Sequence, residues 1–266
     1  MPNTAVTIQE RFHQRASQGR GTLIPYLTAG FPDPSTSEAL MAALVEAGAD
    51  VLELGIPFSD PLADGPTIQR TSFEALRGGM TTAGALELLE RFRRKHDTPV
   101  VLFTYLNPVL RFGPERFLER AVEAGAQGLL LTDLPAGADA DLEDAILGSP
   151  LDLIRLLAPT TPLSRAGRVA TGGKGFLYYI SRTGVTGARQ EIREELGAEV
   201  AAIRETTELP VAVGFGISTP EQAAVVSAVA DGVVVGSALM EALDREGVEG
   251  AVSLLRSLRK GMDGTD

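Results

Sequence analysis

The chain has 266 residues, of which 44% are hydrophobic and 22% are charged, as in an ordinary globular protein. A chain of this length can bury about 70 to 75% of the surface of its unfolded state, so we expect one domain over residues 1–266. It contains no cysteine, which excludes disulfides, thiolate metal ligands and cysteine nucleophiles. The net charge of −11 disfavours nucleic acid and acidic membranes as partners.

The N-terminal segment MPNTAVTIQERFHQRA lacks the hydrophobic core of a signal peptide. No apolar run in the chain approaches the ~20 residues that a membrane span requires. We therefore expect a cytoplasmic protein.

Short apolar runs bounded by Gly, Pro, Asp or Asn predict eight strands, most of them continuous blocks such as VVLFTY that are typical of parallel strands. The predicted strands cover residues 23–28, 51–56, 100–105, 128–132, 153–157, 176–180, 211–215 and 232–235. Helical patterns follow them at 37–47, 83–95, 114–123, 138–147, 162–171, 191–206, 219–228 and 249–260. A further helix is predicted at 5–18, before the first strand.

A similar sequence recurs where a helix leads into a strand, as in EAGADVLEL, EAGAQGLLL and SAVADGVVV. Eight repeated βα units predict an α/β fold, a single (β/α)8 TIM barrel whose extra N-terminal helix closes the bottom. A doubly wound open sheet is the alternative, but the first strand is not followed by the GxGxxG loop of the dinucleotide-binding form of that fold. In a barrel, the active site forms at the carboxyl ends of the strands.

The few lysines and histidines fall outside that end. They are Lys95, His96 and Lys174, which precede strands, and His13 and Lys260, which lie on the terminal helices. A Schiff-base aldolase needs a lysine on a strand, and a metal aldolase usually needs imidazole ligands. We therefore expect no metal site, and acid-base chemistry carried by carboxylates or phenols.

Glu53 is the leading candidate among the carboxylates. In VLELGIP, strand alternation places Val51, Glu53 and Gly55 on one face, so the carboxylate should point into the upper barrel. A buried Glu held by an Arg or by backbone amides is the structural alternative. A buried carboxyl with a raised pKa is also the group that a barrel enzyme uses for proton transfer.

The loop after this strand, PFSDPLADGPTIQR, contains two aspartates. Asp60 precedes a proline and is typical of a turn or a helix cap. Asp64, in the short LADG turn, is the better candidate for facing a ligand, although an Asp-Gly turn is also a common structural feature. Asp133, at the end of the fourth strand, is expected behind the site or at an interface.

Three glycine-rich segments follow the last three strands, where barrels bind phosphate. They are SRTGVTGARQ after the sixth strand, GFGIS after the seventh and VVGSALMEAL around the eighth. Gly236 and Ser237 open a helix whose free amides can hold an anion without a basic side chain. Aromatic and apolar side chains near the strand ends would complete a pocket for a flat ligand, or would simply fill the barrel: Tyr26, Phe103, Tyr105, Leu131, Tyr178 and Phe215.

Five segments carry a resemblance to a known family. They are PYLTAGFPD at 25–33, ELGIPFSDPLADGPTIQ at 53–69, YISRTGVTG at 179–187, VGFGIS at 213–218 and VVGSA at 234–238. Together they resemble the tryptophan synthase alpha chain family, over nearly the whole sequence. The resemblance implies retro-aldol cleavage of indole-3-glycerol phosphate to indole and glyceraldehyde 3-phosphate, without a cofactor in this chain. It also implies a pyridoxal-phosphate beta chain as partner in an alpha2beta2 complex.

The same resemblance implies roles for individual residues. Glu53 matches the acid-base glutamate, and Asp64 matches the aspartate that binds the indole nitrogen. The positions that match the family's phosphate site are Gly187, Gly216, Gly236 and Ser237, with Phe215 beside them. The residues that match the indole pocket are Tyr26, Phe103 and Tyr105. Tyr178 matches the tyrosine beside the glutamate, and Thr186 matches a threonine of the lid. Many relatives have Phe where this chain has Tyr26, and an aliphatic residue where it has Phe103.

Two other functions are compatible with a phosphate-binding barrel. One is a phosphosugar isomerase or racemase, which would need a base and an electrophile across a carbonyl. The other is a regulatory subunit that binds a phosphate ligand without catalysis, against which the presence of both Glu53 and Asp64 argues.

Overall fold

The structure is a computed structural model that describes residues 6–158, 160–180, 189–214 and 216–264. Its strands are β1 (Thr22–Thr28), β2 (Leu52–Gly55), β3 (Val100–Thr104), β4 (Gly128–Leu131), β5 (Asp152–Leu153), β6 (Arg155–Leu157), β7 (Leu177–Ile180), β8 (Val211–Gly214) and β9 (Gly232–Val235). Hydrogen-bonded neighbours follow the order β5-β4-β3-β2-β1-β9-β8-β7-β6, and each paired strand is parallel to its neighbour. This is the predicted TIM barrel.

The fifth predicted strand is divided into two short pieces around Ile154. β5 pairs with β4, whereas β6 pairs with β7, so the two pieces together close the ring. The amide of Ile154 still donates to the carbonyl of Leu129 at 2.9 Å, which keeps the chain in place between the pieces. The barrel therefore has eight strand positions, and nine strands only because the fifth is interrupted.

The helices lie outside this ring and at its ends. They are α1 (Ile8–Ser17), α2 (Pro34–Glu46), α3 (Pro66–Arg77), α4 (Thr82–Arg93), α5 (Leu106–Phe112), α6 (Pro114–Glu123), α7 (Ala140–Gly148), α8 (Ala166–Ala170, after a 3-10 turn at Leu163–Arg165), α9 (Arg189–Arg204), α10 (Pro220–Ser227) and α11 (Ser237–Asp263). α11 is broken at Gly247, whose φ of 68° and ψ of −164° are not helical. The break separates a short helix after β9 from the predicted closing helix. No helix within the described residues is both long and apolar enough to cross a membrane.

Two helices, α3 and α5, were not predicted from the sequence. α3 follows directly on the loop that carries Asp64, and Gly65 at its N-cap makes no side-chain hydrogen bond, so the usual start signal of a polar cap is absent. α5 has seven residues, too few for a helical period to stand out. Both helices lie at the carboxyl end of the barrel.

The barrel interior is closed at its lower end by apolar side chains. One inward-facing residue from each strand position contributes to this closed layer: Ile24, Val51, Val101, Leu130, Ile154, Phe176, Ala212 and Val234. Ile8 and Phe12 of α1 pack against the layer, which confirms that the N-terminal helix closes the bottom. A larger apolar cluster fills the space between the sheet and the surrounding helices.

A buried carboxylate ties the lower elements together. Asp50, 1% exposed, accepts hydrogen bonds from Arg15 of α1 at 2.6 Å, from Arg259 of α11 at 3.1 Å and from the amide of Leu23 at 2.9 Å. The side chain of Arg259 is 10% exposed and that of Arg15 is 21% exposed, so the pairing chiefly compensates the buried charges of Asp50 and Arg259.

Candidate active site

A cavity of about 560 Å³ opens at the carboxyl ends of the strands. Its floor is made by the inward-facing residues two positions beyond the closed layer, because side chains alternate between the two faces of a strand. These floor residues are Tyr26, Glu53, Phe103, Thr132, Leu156, Tyr178, Gly214 and Gly236. The barrel therefore changes from a packed apolar layer to a ligand-sized space within two residues along the strands, and on β9 Val234 of the closed layer also lines the cavity.

Glu53 is the buried carboxyl of this floor. It is 1% exposed, and its Oε1 atom has no hydrogen-bond partner within the described part of the chain. Burial raises its pKa to about 8, because the charged form loses the solvation of water. Among the described residues, neither an arginine ion pair nor a backbone-amide hydrogen bond to Glu53 is found, so the structural alternative of a glutamate held by such groups finds no support there.

Asp64 faces the same cavity from the loop between β2 and α3. Its Oδ2 accepts a hydrogen bond from the Tyr105 hydroxyl at 2.9 Å, and that hydroxyl accepts one from the amide of Ala63 at 3.1 Å. The loop is braced further by Gln69 of α3, which donates to the Asp64 carbonyl at 2.8 Å. Burial raises the pKa of Asp64 to about 6, against the opposing effect of the Tyr105 hydrogen bond.

The structure places the other two candidate aspartates outside the cavity. The Asp60 carboxylate accepts from the Ser59 hydroxyl at 2.6 Å, and its carbonyl accepts from the amide of Leu62, as in a turn. The Asp133 carboxylate accepts from the amide of Leu106 at 2.7 Å and so caps the first turn of α5. Asp133 thereby connects the loop after β4 to the helix after β3.

Two of the candidate tyrosines occupy space that glycines leave open. Tyr26 packs edge-on against Phe103, with ring centroids 5.3 Å apart, and a Cβ at Gly55 would overlap the Tyr26 hydroxyl. The Tyr178 hydroxyl lies in the same way over Gly214. Burial is the main reason that the pKa values of both tyrosines are raised, so both rings stay neutral and uncharged. Tyr105 is not among the residues that line the cavity, since it lies behind Asp64.

The glycine-rich segments after β8 and β9 form the other side of the cavity. Gly216, Ser218, Gly236 and Ser237 line it, with Ile217 and Ala238 between and beside them. α11 begins at Ser237, and its first internal hydrogen bonds are donated by Leu239 and Met240 to Gly236. The amides of Ser237 and Ala238 therefore precede the helical bonding pattern, as in anion sites at helix N-termini. The residues that line the described cavity include no Lys or Arg.

Three candidate residues lie outside the described residues, namely Thr186, Gly187 and Phe215. Several lining residues were not singled out from the sequence: Thr132, Leu156, Ile180, Ile68 and Glu241. Thr132 and Leu156 could have been found by counting two positions along the strand from the closed layer. Within the described ranges, no group of three or more His, Asp or Glu side chains is arranged to hold a metal ion.

Comparison with known proteins gives one consistent result. The sequence model of the tryptophan synthase alpha chain family matches residues 12–262. The chain is 50% identical to the tryptophan synthase alpha chain of Geobacter sp. (strain M21) over 90% of this chain and 89% of that protein. It is 49% identical to that of Gluconacetobacter diazotrophicus, over 94% and 93% of the two chains.

Solved structures agree with the sequence matches. A chain of Mycobacterium tuberculosis tryptophan synthase superposes with a TM-score of 0.88 and 38% identity, covering 97% of this chain and 98% of that one. The tryptophan synthase subunit alpha of Legionella pneumophila gives the same TM-score, identity and coverage. This chain belongs to the tryptophan synthase alpha chain family.

Proposed function

We propose that the cavity above the closed barrel layer is the site of the family's reaction and that Glu53 and Asp64 carry it. The reaction is that of a carbon-carbon lyase in tryptophan biosynthesis, which cleaves indole-3-glycerol phosphate to indole and glyceraldehyde 3-phosphate. The observation that supports the assignment is the pair of carboxyls with separated pKa values, about 8 for Glu53 and about 6 for Asp64, on one cavity. At neutral pH one carboxyl is an acid and the other a carboxylate.

Cleavage of the bond between the indole ring and the glycerol chain needs three contributions. The leaving ring carbon takes up a proton, positive charge on the ring nitrogen is offset, and a glycerol hydroxyl loses its proton as the aldehyde forms. Neutral Glu53 can supply the first proton, and the resulting carboxylate can accept the hydroxyl proton, which returns it to the starting state. Ionised Asp64 can accept a hydrogen bond from the ring N–H and stabilise the positive charge.

The substrate phosphate fits the side of the cavity formed after β8 and β9. Amides at Ser237 and Ala238 and the dipole of the first part of α11 favour a dianion there, close to Gly216 and Gly236. We include Gly187 and Phe215 in this phosphate site, and Thr186 in a lid over Asp64, on the family resemblance alone. Tyr26, Phe103 and Tyr178 would surround the indole ring, and Tyr105 would support it through Asp64.

We propose further that the chain works as one domain, without a cofactor of its own, in the cytoplasm. The described helices and strands all belong to one barrel and its surrounding layer. Two carboxyls can perform the chemistry described above, so pyridoxal phosphate is expected in the partner beta chain only. The negative net charge favours neither nucleic acid nor membrane as a partner.

A beta chain would bind beside the cavity mouth, in an alpha2beta2 complex. Large apolar side chains are exposed there, with Leu62 in the loop after β2 at 90% and Leu110 of α5 at 47%. The stiff segments 57–61 and 133–135 adjoin them, and the Asp133 cap joins the second segment to α5. Indole is small and apolar, so release toward a partner at this end would avoid its loss to the solvent.

Two amide substitutions test the catalytic assignment. Glu53→Gln keeps the shape of the side chain but removes its proton, so turnover should fall by roughly 10² to 10⁴ while substrate binding is largely kept. Asp64→Asn should also strongly lower the rate of cleavage, because a neutral amide cannot offset the positive charge on the ring nitrogen. Initial rates of indole-3-glycerol phosphate cleavage measure both effects.

Matched controls are available on the outer surface. Glu119→Gln on α6 and Asp141→Asn on α7 make the same chemical changes at exposed positions. Both controls should retain wild-type turnover. Activity of Glu53→Gln within tenfold of wild type would remove Glu53 from the mechanism, and full activity of Asp64→Asn would return its loop to a structural role.

A further inference from the structure

A chain of buried hydroxyl groups leads from the candidate active site into α3. The Tyr26 hydroxyl lies 3.3 Å from the Thr28 hydroxyl, which lies 2.8 Å from the Thr71 hydroxyl. Thr71 in turn donates to the carbonyl of Ile68 at 3.1 Å. Thr28 and Thr71 are fully buried, at 0% exposure, so water does not compete for these contacts.

The chemistry of the last acceptor fixes the direction of every bond in this hydroxyl chain. A carbonyl can only accept, so the single proton of Thr71 goes to Ile68. Thr71 must then accept from Thr28, and Thr28, its proton used, must accept from Tyr26. Only this order satisfies all three contacts at once. The proton of Tyr26 is therefore directed toward Thr28, and its lone pairs remain for the cavity.

The position of the Tyr26 hydroxyl makes that direction relevant to the substrate. Tyr26 is the register neighbour of Glu53, and Thr28 is the register neighbour of Gly55. Because Gly55 has no side chain, the Tyr26 hydroxyl occupies the space directly above Glu53 on the same face of β2. Burial is the largest cause of the raised pKa of Tyr26, and the ionised forms of Asp64 and Glu53 add to it, which places the Tyr26 hydroxyl in the field of both carboxyls.

We propose that Thr71 is a positioning residue that makes the Tyr26 hydroxyl a pure hydrogen-bond acceptor for a donor group of the substrate. The inference rests on the proposed function, because it takes the cavity around Glu53 as the substrate site. Indole-3-glycerol phosphate carries an indole N–H and glycerol hydroxyls, all of which are donors. A phenol whose proton is already bound by the protein is oriented in advance to accept from such donors, whereas a freely rotating one must first lose its rotational freedom.

A double-mutant cycle separates this role from simple packing. Tyr26→Phe should lower kcat/KM about three- to tenfold, the range for one neutral hydrogen bond, mainly through a higher KM. Thr71→Val keeps the shape of the side chain but leaves the Thr28 proton without its acceptor, so this variant should also lower kcat/KM. In the Tyr26→Phe background, Thr71→Val should have no further effect on kcat/KM, and Thr71→Ser alone should behave as the wild type.

Product inhibition identifies the donor. Indole offers only its ring N–H, and glyceraldehyde 3-phosphate offers a hydroxyl, so Tyr26→Phe should weaken inhibition by one of these two products. Equal effects of Thr71→Val in both backgrounds, or unchanged inhibition by both products, would overturn the proposal. Failure of the proposed function looks different, because Glu53→Gln would then keep its turnover whatever the cycle shows.

Discussion

The burial of Glu53 predicts a dependence of stability on pH that can be measured without substrate. Its pKa lies at about 8 in the folded chain, against 4.5 for the unperturbed carboxyl. Between these two values the unfolded chain has released the proton and the folded chain has kept it. The folded state therefore loses stability as the pH rises from about 4.5, and the loss is complete once the pH has passed about 8, the pKa of Glu53 in the folded chain.

The size of the effect follows from the same two pKa values. One proton corresponds to about 1.4 kcal/mol for each pH unit, so the interval from 4.5 to about 8 amounts to about 5 kcal/mol. A glutamine at this position has no proton to release. Relative to wild type, Glu53→Gln should become progressively more stable across this interval and then stay level above about pH 8.

Urea unfolding followed by circular dichroism, at a series of pH values from 5 to 9, measures the difference. Glu87→Gln is a matched control, because Glu87 lies on the exposed face of α4 and its replacement should not reproduce the change of slope. A stability difference between Glu53→Gln and wild type that is independent of pH would refute the reasoning. It would mean that the Glu53 carboxyl is solvated in the folded chain or that its charge is paired.

Three further predictions concern the catalytic pH range, the barrel base and the partner surface. The pH profile of kcat/KM should rise as Asp64 ionises near pH 6 and fall as Glu53 ionises near pH 8, and a profile without two such limbs contradicts the assignment. Asp50→Ala should lower the free energy of unfolding by about 3 to 5 kcal/mol, because it leaves two arginines without their buried partner; a loss below about 1 kcal/mol in urea unfolding contradicts this. Leu110→Asp should weaken binding of a beta chain at least tenfold in a titration while isolated turnover is unchanged, and unchanged affinity would remove α5 from the interface.

Strand alternation made the cavity floor predictable from the sequence. Once Val51 is assigned to the inward face of β2, Glu53 and Gly55 must share that face, and the structure places Glu53 there. The same count along β3 leads from Val101 to Phe103. These inferences use only local geometry, so they do not depend on knowing how distant parts of the chain pack.

Contacts between separate loops could not be predicted in this way. α5 begins where the Asp133 carboxylate, from the loop after β4, caps the amide of Leu106. The interruption of the fifth strand likewise depends on which neighbours pair on each side of Ile154. In both cases the residue that decides the local structure is distant in sequence. The hydrophobic periodicity and the secondary-structure propensity of a segment contain no information about such a residue.

Tyr105 shows how such a distant contact can control the chemistry of the site. Its hydroxyl donates to Asp64 and lowers the pKa of that carboxyl against the effect of burial. Tyr105→Phe removes the hydrogen bond, so the pKa of Asp64 should rise and the acid limb of the kcat/KM profile should move upward by about one pH unit. A shift of one pH unit corresponds to about 1.4 kcal/mol, near the lower end of the free energy of a hydrogen bond to a charged group. We expect the lower end because Asp64 is only partly buried.

The variant should therefore lose activity at pH 6 to 7 and regain it at higher pH, until Glu53 ionises. The basic limb near pH 8 serves as an internal control, since Tyr105 makes no hydrogen bond to Glu53 among the described contacts. An acid limb that stays in place in Tyr105→Phe would show that the hydroxyl does not stabilise the Asp64 carboxylate. A parallel movement of both limbs would instead indicate a general change in the cavity, because only Asp64 receives this hydrogen bond.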